Sequence, residues 1–156
     1  MYEDESQALA HLAYYQELLR LQDWDLELAF HVSAMDIGSL TAHAHIRWDM
    51  HHRKARLKLI DPQGYGDDFI EIDEEHSIVH ELLHLKMVDF DNTESDSLEG
   101  HLLEGFINQL STAIVKLRRE RDDARNKATS FEADLLAHKD AVKVSLQLAT
   151  ERKEEQ

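Results

Sequence analysis

The sequence predicts an α+β domain, and three observations carry that expectation. Apolar residues at helical spacing lie near both ends of the chain. Three runs of two-residue alternation fall between Trp24 and Ile60. A charged stretch with a thin helical stripe follows residue 119. The expected architecture is an N-terminal helix, a small three- to four-stranded, mostly antiparallel sheet, two further helices and a C-terminal helical tail. At 156 residues the chain suits one domain, 1–119, with a charged helical appendage, 120–156, and its 42% hydrophobic content can supply a core.

Residues 6–22 are expected to be helical. Leu9, Leu12, Ala13, Gln16 and Leu19 step along one face, and Ser6 is the expected N-cap. Trp24–Val32 alternates, with Trp24, Leu26, Leu28, Phe30 and Val32 facing inward, as in a strand with one buried face. Leu40–Trp48 alternates again. Leu40, Ala42, Ala44, Ile46 and Trp48 face inward, while His43 and His45 fall on the polar face and are expected to be solvated. The polar loop Asp49–Arg53, with His51 and His52 exposed, joins this strand to Lys54–Ile60 as an antiparallel hairpin.

Asp61–Asp68 holds the only Pro and two of the five Gly, which predicts a loop. Phe69–Ile72 is a short extended piece that could offer an edge to a peptide. Asp73 is the expected cap of a helix reaching Val88, with Glu74 and Glu75 at the positive end of its dipole. After an acidic connection, Ser95 or Asp96 is expected to cap a helix over 97–119. Its stripe includes Leu98 and Leu102, with Leu103, Phe106, Ile107, Leu110 and Ile114 setting the inward direction. In the tail, Phe131, Leu135, Val142 and Ala149 form a thin seam, with His138 and Ser145 at other seam positions. That pattern suits a helix able to self-associate, so a homo-oligomer through the tail is one expectation.

Composition excludes several classes. A net charge of −15 disfavours non-specific binding to nucleic acid or to an anionic membrane surface. No apolar stretch approaches the ~20 residues of a membrane span. With no Cys there are neither disulfides nor thiolate metal ligands. The acidic start Met1–Glu5 is unlike a secretory signal, so a cytoplasmic protein is expected.

One motif carries chemistry. His80-Glu81-Leu82-Leu83-His84 reads His-Glu-x-x-His. On a helix the two imidazoles share a face and can grip one metal, with Glu81 beside it as a base for water. Apolar residues surround the same helix almost completely, so it is expected to be buried. Two buried His and a Glu without partners would cost about 1–3 kcal/mol per group, a cost that a metal removes. Imidazole and carboxylate ligands point to Zn2+, although iron or manganese accept the same set. A third ligand should come from the next helix. Glu104 is preferred, and His101, Glu99, Glu94 and Asp96 stay open.

This order of elements and this motif resemble the zincin metallopeptidases, and more narrowly the minimal gluzincins found in phage and bacterial genomes. The resemblance spans about residues 6–118. It implies a peptide or protein substrate, Glu81 as general base and a Glu as third ligand, with an Asp or Asn four residues later supporting a ligand His. Glu104 and Asn108 fit that spacing, whereas Glu99 and Leu103 do not. The metzincin pattern departs at Met87 and Phe90. A SprT-like arrangement would use His101. For an oxyanion donor, Tyr65, His76 and His101 are candidates. The competing expectation is a non-catalytic binding protein whose zinc is structural or vestigial.

Overall fold

The computed structural model describes residues 1–38, 42–64, 72–88 and 97–154, with side chains described as far as Lys139. Helix α1 spans Glu5–Leu18. Asp4, not Ser6, caps it: the Asp4 carboxylate accepts from Gln7 N–H at 3.0 Å, and Ser6 Oγ donates to the same carboxylate at 2.6 Å. The helix stops short of residue 22 because Arg20 turns left-handed at φ 54°. Leu21 N–H then reaches Gln16 C=O at 2.8 Å and Arg20 N–H reaches Glu17 C=O at 3.0 Å, the Schellman closure. The buried stripe is Ala8, Leu12 and Tyr15, and Leu9 is exposed, so α1 is turned from the expected face.

Strands β1 (Asp25–Val32), β2 (Ala44–Asp49) and β3 (Lys54–Ile60) form one sheet in the order β1-β3-β2. The β2–β3 hairpin is antiparallel, as expected. β1 pairs parallel to β3, so the sheet is mixed rather than mostly antiparallel. The reason lies in the connection after β1. Short helix α2 (Ala34–Ile37) carries a Ser33–Asp36 capping box and ends at Gly38, φ 82°, a left-handed position that favours glycine. The chain is thereby led to the far edge, and β3 returns between the other two strands. A bulge between Ala29 and Val32, with His31 at φ 52°, breaks the alternation of β1. Ala44 and Ile46 are buried, but Trp48, expected inward, is exposed at the end of β2.

Helix α3 (Glu74–Lys86) packs on the sheet and on α1. Asp73 caps it, accepting from His76 N–H at 3.1 Å. Ile78, Val79, Leu82, Leu83 and Leu85 are all buried, which makes α3 the centre of the main core. A smaller apolar cluster joins Ile37, Ile60 and Ile72. Helix α4 runs Leu98–Glu154, so the two helices expected after residue 97 are one. Ser97 caps it, its Oγ accepting from Gly100 N–H at 3.0 Å. The caps proposed at Ser95 and Asp96, and the extended piece Phe69–Glu71, lie outside the described residues. α4 buries Ile107, Ser111 and Val115, while Phe106, expected inward, is exposed together with Leu98 and Leu102.

The chain separates into two compact units, Met1–Val115 and Lys116–Gln156. Among the described residues no helix is long and apolar enough to cross a membrane.

Candidate metal centre

His80 and His84 stand one turn apart on α3, with their Nε2 atoms 3.1 Å apart. Glu104, in the second turn of α4, faces both. Its Oε1 lies 3.0 Å from His80 Nε2 and its Oε2 lies 3.2 Å from His84 Nε2. Among the described residues this is the one group of three whose donor atoms converge closely enough to hold a metal ion. Two donors about 2.0–2.1 Å from a tetrahedral zinc lie about 3.3 Å apart, so the observed spacing fits such an ion. The chemistry agrees. Two imidazole Nε2 atoms and a carboxylate face one another, a donor set that suits a divalent cation.

Burial holds the His80 imidazole below its ordinary pKa, and the Glu104 carboxylate pulls the other way. The Asn108 side chain hydrogen-bonds the His80 ring from one turn after Glu104, favouring its charged form. Such a partner fixes the ring of a metal ligand. One turn before His80, His76 Nε2 meets Ser111 Oγ at 2.8 Å and Thr112 Oγ1 at 3.2 Å. Both hydroxyls in turn donate to Asn108 C=O, at 3.0 and 2.8 Å. His76 is therefore pinned to α4 by the same turn that presents Asn108.

Glu81 sits beside the triad. Burial pushes its carboxyl up to about 7, against the opposing pull of His84 and of a hydrogen bond from the Ile46 backbone N–H. The register explains that bond. His43 C=O accepts from Ile60 N–H, and Ala44 and Ile46 stand opposite Leu59 and Leu57. In an antiparallel ladder the backbone groups of Ala44 and Ile46 then point away from β3, towards α3.

These groups line one cleft of about 970 Å³. Strand β2 forms one wall with His45 and Trp48, together with His43 just before it, and α3 and α4 form the floor and the other wall. The solvated reading of His43 and His45 is overturned: both are half-buried and face the cleft. Burial lowers the His45 pKa, with Arg47, Lys58 and His84 adding to the effect, and its Nδ1 is buried without a hydrogen-bond partner among the described residues. Alternation along β2 puts these histidines opposite the core face. That β2 is the edge strand bordering α3 depends on the crossover, which no local pattern announces.

The other ligand candidates separate cleanly. Glu99 and His101 are exposed and stand outside the converging group. Glu94, Asp96 and Tyr65 lie outside the described residues, and of the oxyanion candidates His76 lines the cleft.

Sequence patterns also missed a second polar cluster, at the start of α3. Glu74 and Glu75 are buried, not merely placed at the helix dipole. Glu74 accepts from Tyr2 N–H and meets His31 Nε2 at 2.8 Å, and Glu75 accepts from Tyr15 Oη–H at 2.6 Å. The sequence signal was slight: a paired Glu directly after an N-cap.

Comparison with protein-family models, with curated proteins and with solved structures returns no match, so the functional reading of this cleft rests on its own geometry.

Proposed function

We propose that the chain is a zinc-dependent peptidase of gluzincin type, acting on a peptide or protein substrate. The observation that carries this is the convergence of His80, His84 and Glu104 on one point, with Glu81 alongside, at the floor of an open cleft. His80, His84 and Glu104 would hold the ion, and three protein ligands leave a fourth position for water, as catalytic zinc sites do. When bound, zinc lowers the pKa of a water towards ~7 and polarises a carbonyl. Glu81 accepts the proton of the attacking water and passes it to the departing amine nitrogen. The Ile46 N–H holds the Glu81 carboxylate in place for this. Asn108 orients His80.

The substrate class follows from the wall of the cleft. β2 is an edge strand, and an extended peptide can add to such an edge through its own backbone groups. β2 takes the part expected of Phe69–Ile72, most of which lies outside the described residues. A net charge of −15 suits a cytoplasmic enzyme in free solution rather than one held to an anionic surface.

Metal analysis tests the reading. The wild type should carry about one zinc per chain, Glu104→Ala should lose it, and His101→Ala should keep it. Loss in His101→Ala with retention in Glu104→Ala would move the ligand set to the SprT-like arrangement. Absence of zinc from a reconstituted wild type would leave the fold as a binding protein.

A further inference from the structure

Helix α4 carries exposed apolar side chains through its second unit: Leu117 is 65% exposed, Phe131 69% and Leu135 44%. Their spacing places Leu117, Ala124, Phe131 and His138 at one heptad position (d), and Arg121, Ala128 and Leu135 at the other seam position (a). The charges beside this seam identify its occupant. The residues preceding each a position (g) are Glu120, Lys127 and Asp134. Those following each d position (e) are Arg118, which pairs with Asp122 of its own chain, and then Arg125, Glu132 and Lys139. In a parallel two-stranded coil each g residue faces the e residue five positions later on the other helix. The pairs are then Glu120 with Arg125, Lys127 with Glu132 and Asp134 with Lys139. All three are opposite in charge, and the signs alternate along the helix.

An antiparallel pairing centred on Lys127 sets Lys127 against Lys127 and Glu120 against Asp134. The antiparallel register one heptad on matches Lys127 with Asp134 and Arg125 with Glu132 but sets Arg118 against Lys139, so the parallel alignment has the more complete set of opposite pairs. The Lys116–Glu120 contact is 3.9 Å long and exposed, and such pairs hold little energy. The apolar seam supplies the association and the flanking charges select its partner and direction.

We propose that residues 117–139 pair with the same segment of a second copy as a parallel, in-register two-stranded coiled coil about 34 Å long. The seam is thin, with two Ala, one Arg and one His among its positions, so the dimer is reversible. The seam arginine, Arg121, is held by Asp122 of its own chain at 2.9 Å, and in the pair it would also lie beside Glu120 of the second copy.

The test uses the full chain. Sedimentation equilibrium of the wild type should show the mass doubling from nanomolar to high-micromolar concentration. A triple variant reversing the g charges (Glu120→Lys, Lys127→Glu, Asp134→Lys) should stay monomeric, as should a triple variant reversing the e charges (Arg125→Glu, Glu132→Lys, Lys139→Glu). An equimolar mixture of the two should recover the dimer, because every cross-pair is again opposite. Unchanged zinc content of each variant shows that Met1–Val115 is intact. The chain has no Cys, so Ala124→Cys gives a clean register probe. It should form an interchain disulfide in air, whereas Thr129→Cys, one position off the seam, should not. A wild type monomeric at every concentration, a dimer that survives either charge reversal, or cross-linking of Thr129→Cys in preference to Ala124→Cys would each overturn the proposal.

Discussion

Helix α3 has two polar ends, and they are built on opposite rules. At its start, Glu74 and Glu75 are buried and supplied with donors: the Tyr2 N–H, His31 and the Tyr15 hydroxyl, drawn from the N-terminal segment, β1 and α1. Six residues on, the Nε2 atoms of His80 and His84 face the two oxygens of Glu104, three metal-ligating groups converging on one point. A buried carboxylate with donors around it ties elements together. Three metal-ligating groups about 3 Å apart at the floor of an open cleft are spaced as the ligands of one cation are. The first end ties elements together, and the second is the candidate metal site. A change at the start of α3 should therefore cost stability and spare the metal, and a change at the cleft should do the reverse.

The largest expected effect is on turnover. Glu81→Gln keeps the shape and the Ile46 contact but removes the base. Turnover on an unfolded protein substrate should fall by roughly 10²–10⁴-fold while zinc content stays at the wild-type level. Equal rates for variant and parent would remove Glu81 from the mechanism.

The same carboxyl gives the next largest effect, on the folding of the metal-free chain. Its pKa rises from 4.5 unfolded to about 7 folded, so the folded state binds the proton more tightly. The stability it contributes is full below pH 4.5 and is lost as pH rises to about 7. The difference is on the order of 3 kcal/mol. Chelator-treated wild type should therefore lose stability across that window in denaturant titrations, and chelator-treated Glu81→Gln should lose that much less. Identical slopes for the two proteins would show that burial does not strain Glu81.

At the other end of α3, Tyr15→Phe removes one donor from Glu75. It should lower stability by about 1–3 kcal/mol with zinc affinity unchanged. A drop in metal affinity of the same size would mean that the two ends are coupled through the helix, and the contrast between them would fail.

The cleft end was much easier to read in the sequence than the start of α3. His80, Glu81 and His84 are a local pattern, because one turn of helix brings them together. Glu104 was within reach because it borders an amphipathic face, and Asn108 because the gluzincin resemblance implies a partner four residues after the third ligand. What joins Glu74 to His31 is different in kind. It depends on the left-handed bulge at His31, which turns a ring expected on the polar face of β1 towards α3. His43 and His45 escaped for a related reason. Alternation assigns a strand two faces, but a cleft at a sheet edge depends on which strand is last, and the order β1-β3-β2 follows from a crossover through α2. The α+β class was legible from periodicity. Parallel pairing of β1 was not, since two-residue alternation is the same in either direction.

Asn108 gives the finest division between the two roles. Its side chain touches the His80 ring, while its backbone carbonyl takes the hydroxyls of Ser111 and Thr112. Asn108→Ala removes the first contact and leaves the second, and alanine is the better helix former. Folding stability of the metal-free variant should therefore equal or slightly exceed that of the wild type. Zinc affinity, read by competition with a chromogenic chelator, should fall about 10–100-fold, because the ligand ring loses its fixed orientation. Had Asn108 been part of the packing between α3 and α4, stability would fall and the affinity of the folded fraction would stay put. Those two readouts move in opposite senses under the two accounts, so a single variant decides whether the turn after Glu104 serves the metal or the fold.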